Sequence, residues 1–224
     1  MLDRNIKFEN LKEMMTISSE KFGEETAFYR DGKGLEDSKK TTYKEFLYEI
    51  NSLGTAMVEM GLKGKRIAVI GENRYEWELA YLAVATGTGI IVPLDKALPE
   101  NEIESLIIRS EVEAIFYSKK YDECMAKIQK QGNTKLKYFI SMDLEKNDFN
   151  KYSQKEITAK GKELLEKGNR EFVDCKINNE EMAIMLFTSG TTNQSKAVML
   201  SQKNICTNIH DIRNVFELDE TDRF

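Results

Sequence analysis

The apolar positions of this chain switch repeatedly between a helical period and short unbroken runs, and the switches divide it into alternating helices and strands. The first clear helix begins at Thr42, with Tyr43, Phe46, Leu47, Ile50, Leu53 and Met57 on one face. Thr42 and Glu45 have the spacing of a reciprocal cap, and Gly61 suits the C-terminal end. After a Gly64–Lys65 turn, the run Arg66 to Ile70 reads as a buried strand. A helix entered near Asn73 and passing through Trp77, Leu79, Ala80, Tyr81, Leu82 and Val84 is apolar on most sides, so burial is expected. Further strands are predicted over 90–92, 114–117, 136–140, 182–187 and 197–200. Between them lie a helix opened by Pro99 that carries Ile103, Leu106 and Ile107, and a short one through Tyr121, Cys124, Met125 and Ile128. The most polar stretch, 143–179, reads as a loop and a solvated helix around Leu164. A last helix starts at Ser201 with Ile205, Ile209, Ile212 and Phe216 on one face. Residues 31–40, rich in turn formers, are expected to form a hairpin loop.

This alternation specifies an α/β fold, a layered and mostly parallel sheet flanked by helices. With 224 residues, 41% of them apolar, the chain can bury a substantial core. The 33 basic and 38 acidic residues are interspersed, giving a formal charge of −5 without a basic block, so nucleic acid is a poor candidate partner. No apolar run is long enough for a transmembrane span, and the N-terminal residues lack the apolar centre of a signal peptide. Cys124, Cys175 and Cys206 match no metal spacing and read as free thiols of a reducing cytoplasm. With His210 the sole histidine, a histidine triad or zinc centre is disfavoured.

The chemistry concentrates between two predicted strands, in Thr188-Ser-Gly-Thr-Thr-Asn-Gln-Ser-Lys196. Hydroxyl and backbone N–H donors surround a glycine where backbone and ligand can approach closely, and Lys196 adds a mobile cation suited to a triphosphate. The same composition also describes a polar hairpin turn. The segment is not a Walker A loop, because Ser195 precedes Lys196 where glycine is needed and Ala197 follows it where Ser or Thr is needed.

Phe187, Thr188, Ser189, Gly190, Thr191, Thr192, Lys196, Val198, Ser201 and Asn204 stand in the order of a known motif, aromatic-T-S-G-T-T-G-x-P-K-G-V followed by S-H-x-N. By these residues the chain resembles the adenylate-forming (AMP-binding) ligases: acyl-CoA synthetases, luciferases and the adenylation domains of peptide synthetases. Thr41-Thr-Tyr-Lys-Glu-Phe46, the stretch from Gly71 to Val84, and Gly89 to Asp95 also resemble early regions of these enzymes, particularly those acting on fatty acids. Trp77 and Tyr81 are expected to be packing residues. Four positions depart from the pattern: Asn193 replaces Gly, Ser195 replaces Pro, Ala197 replaces Gly and Gln202 replaces His. Asn tolerates a left-handed backbone, whereas loss of proline should loosen the loop.

The resemblance implies an ATP-dependent, AMP-forming acid–thiol ligase using ATP, Mg²⁺ and coenzyme A with a carboxylic, fatty-type acid. Thr188, Ser189, Thr191 and Thr192 would donate to the phosphates, Gly190 would permit close approach, and Lys196 would be the catalytic cation. Metal ligands and the acyl pocket are expected beyond Phe224, so the chain reads as an incomplete N-terminal domain, inactive alone. Residues 1–60 are expected to lean on a missing second subdomain, and 61–224 to form the first α/β subdomain. Uncovered apolar faces on the 43–57 and 201–216 helices would then favour self-association. An amino-acid adenylation domain and a non-catalytic binding module with an altered loop remain as alternatives.

Overall fold

Adjacent residues of the central strands look in opposite directions, and both directions end in apolar packing. In the computed structural model, which describes residues 6–30, 32, 36–188 and 195–216, the first elements are helix α1 (Leu11–Phe22), the hairpin β1 (Thr26–Arg30) and β2 (Lys39–Thr42), and α2 (Tyr43–Glu59). The order continues β3 (Lys65–Ile70), α3 (Tyr75–Ala83), β4 (Gly89–Pro93), α4 (Glu100–Ser110), β5 (Ala114–Tyr117), α5 (Asp122–Gln131) and β6 (Tyr138–Ser141). It closes with β7 (Tyr152–Ser153), α6 (Gln154–Glu166), β8 (Met182–Thr188), β9 (Lys196–Ser201) and α7 (Gln202–Val215). Strands β7-β6-β5-β3-β4-β8-β9 form one sheet in that order, parallel throughout except for β8–β9.

Ile67, Val69, Ala114 and Phe116 point into a core shared with α1, α2, α3 and α6. Ala68, Ile70, Ile115 and Tyr117 point into a second core with α4 and α5. A sheet buried on both faces needs unbroken apolar strands, which explains the run-like rather than alternating pattern in the sequence.

The expected cap of α2 is present: the Thr42 hydroxyl accepts from the Glu45 N–H at 3.2 Å, and the Glu45 carboxylate accepts from the Thr42 N–H at 2.9 Å. The expectation of an uncovered α2 face is overturned. Phe46, Ile50 and Met57 are buried by α1, α3, α6 and the sheet of this same chain. On α7, Ile205 and Ile209 pack on the core, while Ile212, Val215 and Phe216 are exposed.

The helix placed around Leu164 is also less solvated than its composition suggests. As α6 it crosses α2 so closely that a Cβ on Gly161 would lie 1.8 Å from the Ser52 carbonyl oxygen. Phe172 wedges nearby, fully buried, against Gly54 of α2 and Gly87 in a π-helical turn at Val84–Thr88. Gly87 has φ 152°, a conformation open to glycine and strained for other residues. The Lys12 ammonium then ties α1 to this wedge, donating to the carbonyls of Phe172 (2.8 Å) and Cys175 (2.9 Å).

Gly161→Ala is therefore expected to destabilise the chain by about 1–3 kcal/mol, the range for overpacking a core, because the obstacle is backbone and cannot rotate away. Urea unfolding of the variant checks this, and an unchanged midpoint would show that α2 and α6 separate freely.

Candidate phosphate-binding site

The β8–β9 hairpin positions the residues singled out in the sequence. Phe187 pairs with Ala197, and Thr188 with Lys196. Directly opposed residues on antiparallel strands stand about 4.5–5.5 Å apart at Cβ, so Thr188 and Lys196 flank the mouth of one loop. Both are exposed, so the Lys196 cation is open to an anion from solvent. Ser189, Gly190, Thr191 and Thr192, with Asn193, lie outside the described residues. The antiparallel pairing of the flanking strands brings the first hydroxyl-bearing residue and the cation of the motif to adjacent positions.

The sheet locates this mouth relative to other groups. Strands β3, β4, β5, β6 and β8 are parallel, so their C-terminal ends share one edge. The connections leaving β3 and β4 go to opposite faces, α3 to one core and α4 to the other. The crevice outside such neighbouring strand ends is where open α/β sheets take ligands, and β8 lies directly beside β4.

The far limb of the loop is held from α4. One Arg109 guanidinium nitrogen donates to the Ser195 carbonyl at 2.7 Å, and the same group sits 5.5 Å from the centre of the Phe187 ring. Sequence reasoning missed Arg109, whose local pattern signals only a basic residue in the last turn of a helix.

Farther along the edge, Arg74 bonds Glu76 and Asp143 at 2.5 Å each, and the Lys119 N–H donates to Asp143 at 2.7 Å. Burial alone would raise the Asp143 pKa, but the bonds from Arg74 and Lys119 outweigh it and hold the carboxyl below its ordinary value.

One motif departure has a structural explanation. Gln202 is buried, its amide donating to the Ala85 carbonyl at 2.7 Å and accepting from the Leu11 N–H at 3.1 Å. It therefore locks α1 to the turn after α3. Ser201 and Asn204, two matching positions of the motif, form the reciprocal cap of α7. Trp77 and Tyr81 stack at 5.3 Å and pack against the core, as expected of packing residues. Among the described residues no group of three His, Cys, Asp or Glu side chains could hold a metal ion, and Cys124, Cys175 and Cys206 are free. No helix among them is long and apolar enough to cross a membrane.

A family model described as "AMP-binding enzyme" matches residues 16–224. Fatty acyl-CoA synthetase A of Dictyostelium discoideum is 29% identical over 184 residues, which cover 80% of this chain and 27% of that protein. Long-chain-fatty-acid–CoA ligase 5 of Rattus norvegicus is 28% identical over 185 residues, covering 76% of this chain and 26% of that one. Among solved structures, a long-chain-fatty-acid-CoA ligase from Archaeoglobus fulgidus superposes with a TM-score of 0.73 at 22% identity, over 91% of this chain and 39% of that chain. At that identity the likeness is one of fold, and it agrees with the layered, mostly parallel architecture. The chain spans about a quarter of the length of these curated relatives.

A carboxylate with a depressed folded-state pKa contributes stability above its unfolded value, and loses it as pH falls through the folded one. Asp143→Asn should therefore lower stability near neutrality by on the order of 1 kcal/mol, with solvent screening of this partly exposed pair allowed for. The gap to wild type should close as pH drops from about 5 towards 2. Thermal melts across that range read the effect, and a gap independent of pH would remove the Asp143 charge from the account.

Proposed function

Because the chain belongs to the family of AMP-binding enzymes, we propose that it is the N-terminal part of an ATP-dependent acyl-CoA synthetase. The whole enzyme would activate a carboxylic acid of the fatty class as acyl-AMP and transfer the acyl group to coenzyme A, in the cytoplasm. The observation that carries this reading is the pairing of Thr188 with Lys196 at the exposed mouth of the β8–β9 loop, at the strand-end edge of the sheet. The fatty substrate class is supported by the curated relatives named for long-chain or fatty acyl substrates.

In the proposed reaction a carboxylate oxygen attacks the α-phosphorus of ATP, the bond to the β-phosphate oxygen breaks, and pyrophosphate leaves. A thiol then attacks the acyl carbonyl and AMP departs. Thr188, Ser189, Thr191 and Thr192 are proposed to donate to the β- and γ-phosphates, with Gly190 allowing close approach. Lys196 offsets the negative charge that grows on the leaving pyrophosphate. Such catalysis is positioning plus charge stabilisation. Magnesium would neutralise phosphate charge in such a reaction, but no ligand for it is assigned to these residues. Self-association is proposed to run through the exposed Ile212, Val215 and Phe216, and light scattering over a range of concentrations tests it.

In the full-length protein, Lys196→Ala is expected to lower kcat about a hundredfold or more, the usual effect of removing one such donor. The KM for the acid should change little, because the cation acts at the phosphate end. Carboxylate-dependent exchange of pyrophosphate into ATP measures both, and unchanged turnover would take Lys196 out of the mechanism. The same assay on the 224 residues alone is expected to give no exchange.

A further inference from the structure

We propose that Arg109 is a positioning residue for the phosphate loop, replacing by a side-chain clamp the rigidity that proline supplies at position 195 in the motif. The inference rests on the phosphate-loop reading above. Its observations are the 2.7 Å bond from the Arg109 guanidinium to the Ser195 carbonyl and the placement of the same guanidinium 5.5 Å from the Phe187 ring centre. These two contacts span the loop: Phe187 immediately precedes Thr188 on the incoming strand, and Ser195 immediately precedes Lys196 on the outgoing one. A cation that lies over the ring of one limb and donates to the carbonyl of the other reinforces, from outside the loop, the Thr188–Lys196 pairing that sets the separation of the limbs.

The chemistry explains why arginine suits this place. A proline at 195 would fix its own φ and narrow the unbound loop's conformations without any partner. Serine leaves φ free, so the restriction has to come from outside the loop. Arg109 supplies it from α4, whose Ile103, Leu106 and Ile107 are buried in the second core, giving the clamp a rigid base. The guanidinium has a fork of donors and a flat face, so one group can both bond a carbonyl and lie over a ring. A lysine at 109 would keep the charge at the helix end but lacks the flat, forked group that holds both contacts in one fixed geometry.

Two measurements test the clamp. Hydrogen exchange, followed on the 224-residue chain, reads the backbone directly and needs no activity. Arg109→Ala should speed exchange in the 195–198 segment several-fold while leaving α4 and the central strands unchanged. Arg109→Lys should lie between the two, and Ser195→Pro added to Arg109→Ala should restore slow exchange. In the full-length enzyme the same series should raise the KM for ATP five- to tenfold in Arg109→Ala and leave the KM for the acid unchanged, with recovery in the proline double variant. Wild-type exchange in Arg109→Ala, or full rescue by Arg109→Lys, would overturn the proposal, the latter because a charge at the end of α4 would then suffice. A full-length wild type without any adenylation activity would defeat the functional reading and leave the exchange result to decide the clamp.

Discussion

A sheet covered on both faces excludes charged side chains from its middle, and that constraint shapes the rest of this molecule. β3, β4 and β5 are packed between the core of α1, α2, α3 and α6 and the core of α4 and α5. Charged groups placed there would lose their hydration without a partner, so the sequence confines them to strand ends and outer helix faces. Arg74, Lys119 and Asp143 lie just past the ends of β3, β5 and β6, and Lys196 lies at the loop that follows β8. The location of the chemistry is thus a by-product of how the core is covered.

Much of this was legible in the sequence because the signals were local. The capping pair Thr42–Glu45, the unbroken runs 66–70 and 114–117, and the helical face of α4 each specify their element without reference to anything distant. What escaped was set by tertiary contact. The helix α1 has weak amphipathicity and is held by the Lys12 bonds and by Gln202, none of which has a local signature. The charged stretch that became α6 looked solvated because its burial depends in part on glycine: Gly161 lets the helix approach Ser52 and adds no apolar side chain to the face that packs. At the candidate site, Thr188 and Lys196 were found from an ordered motif, whereas Arg109 lies far from it in sequence and reaches it through the fold.

Motif departures also look different once neighbours are visible. Gln202 departs from the pattern, yet its amide accepts from the Leu11 N–H and donates to the Ala85 carbonyl. Ala197 is an ordinary exposed strand residue opposite Phe187. A substitution within a motif is therefore better judged by what its side chain and backbone bond than by its distance from a consensus.

The docking of α1 carries a consequence for how the chain is made. The hydrogen-bond partners of α1 and the residues before it come late: Phe172 and Cys175 for Lys12, Gln202 for the Leu11 N–H, and His210, whose ring nitrogen lies 3.0 Å from the Phe8 carbonyl oxygen. At ribosomal rates of roughly 5–20 residues per second, the interval between synthesis of Leu11 and of Gln202 is about 10–40 s. For that time α1 can pack only on α2 and the turn at Val84–Thr88, its nearer partners along the chain, without the hydrogen bonds that lock it in place. An early-made helix is thus among the last to complete its hydrogen bonds, and closing it joins residues 191 positions apart.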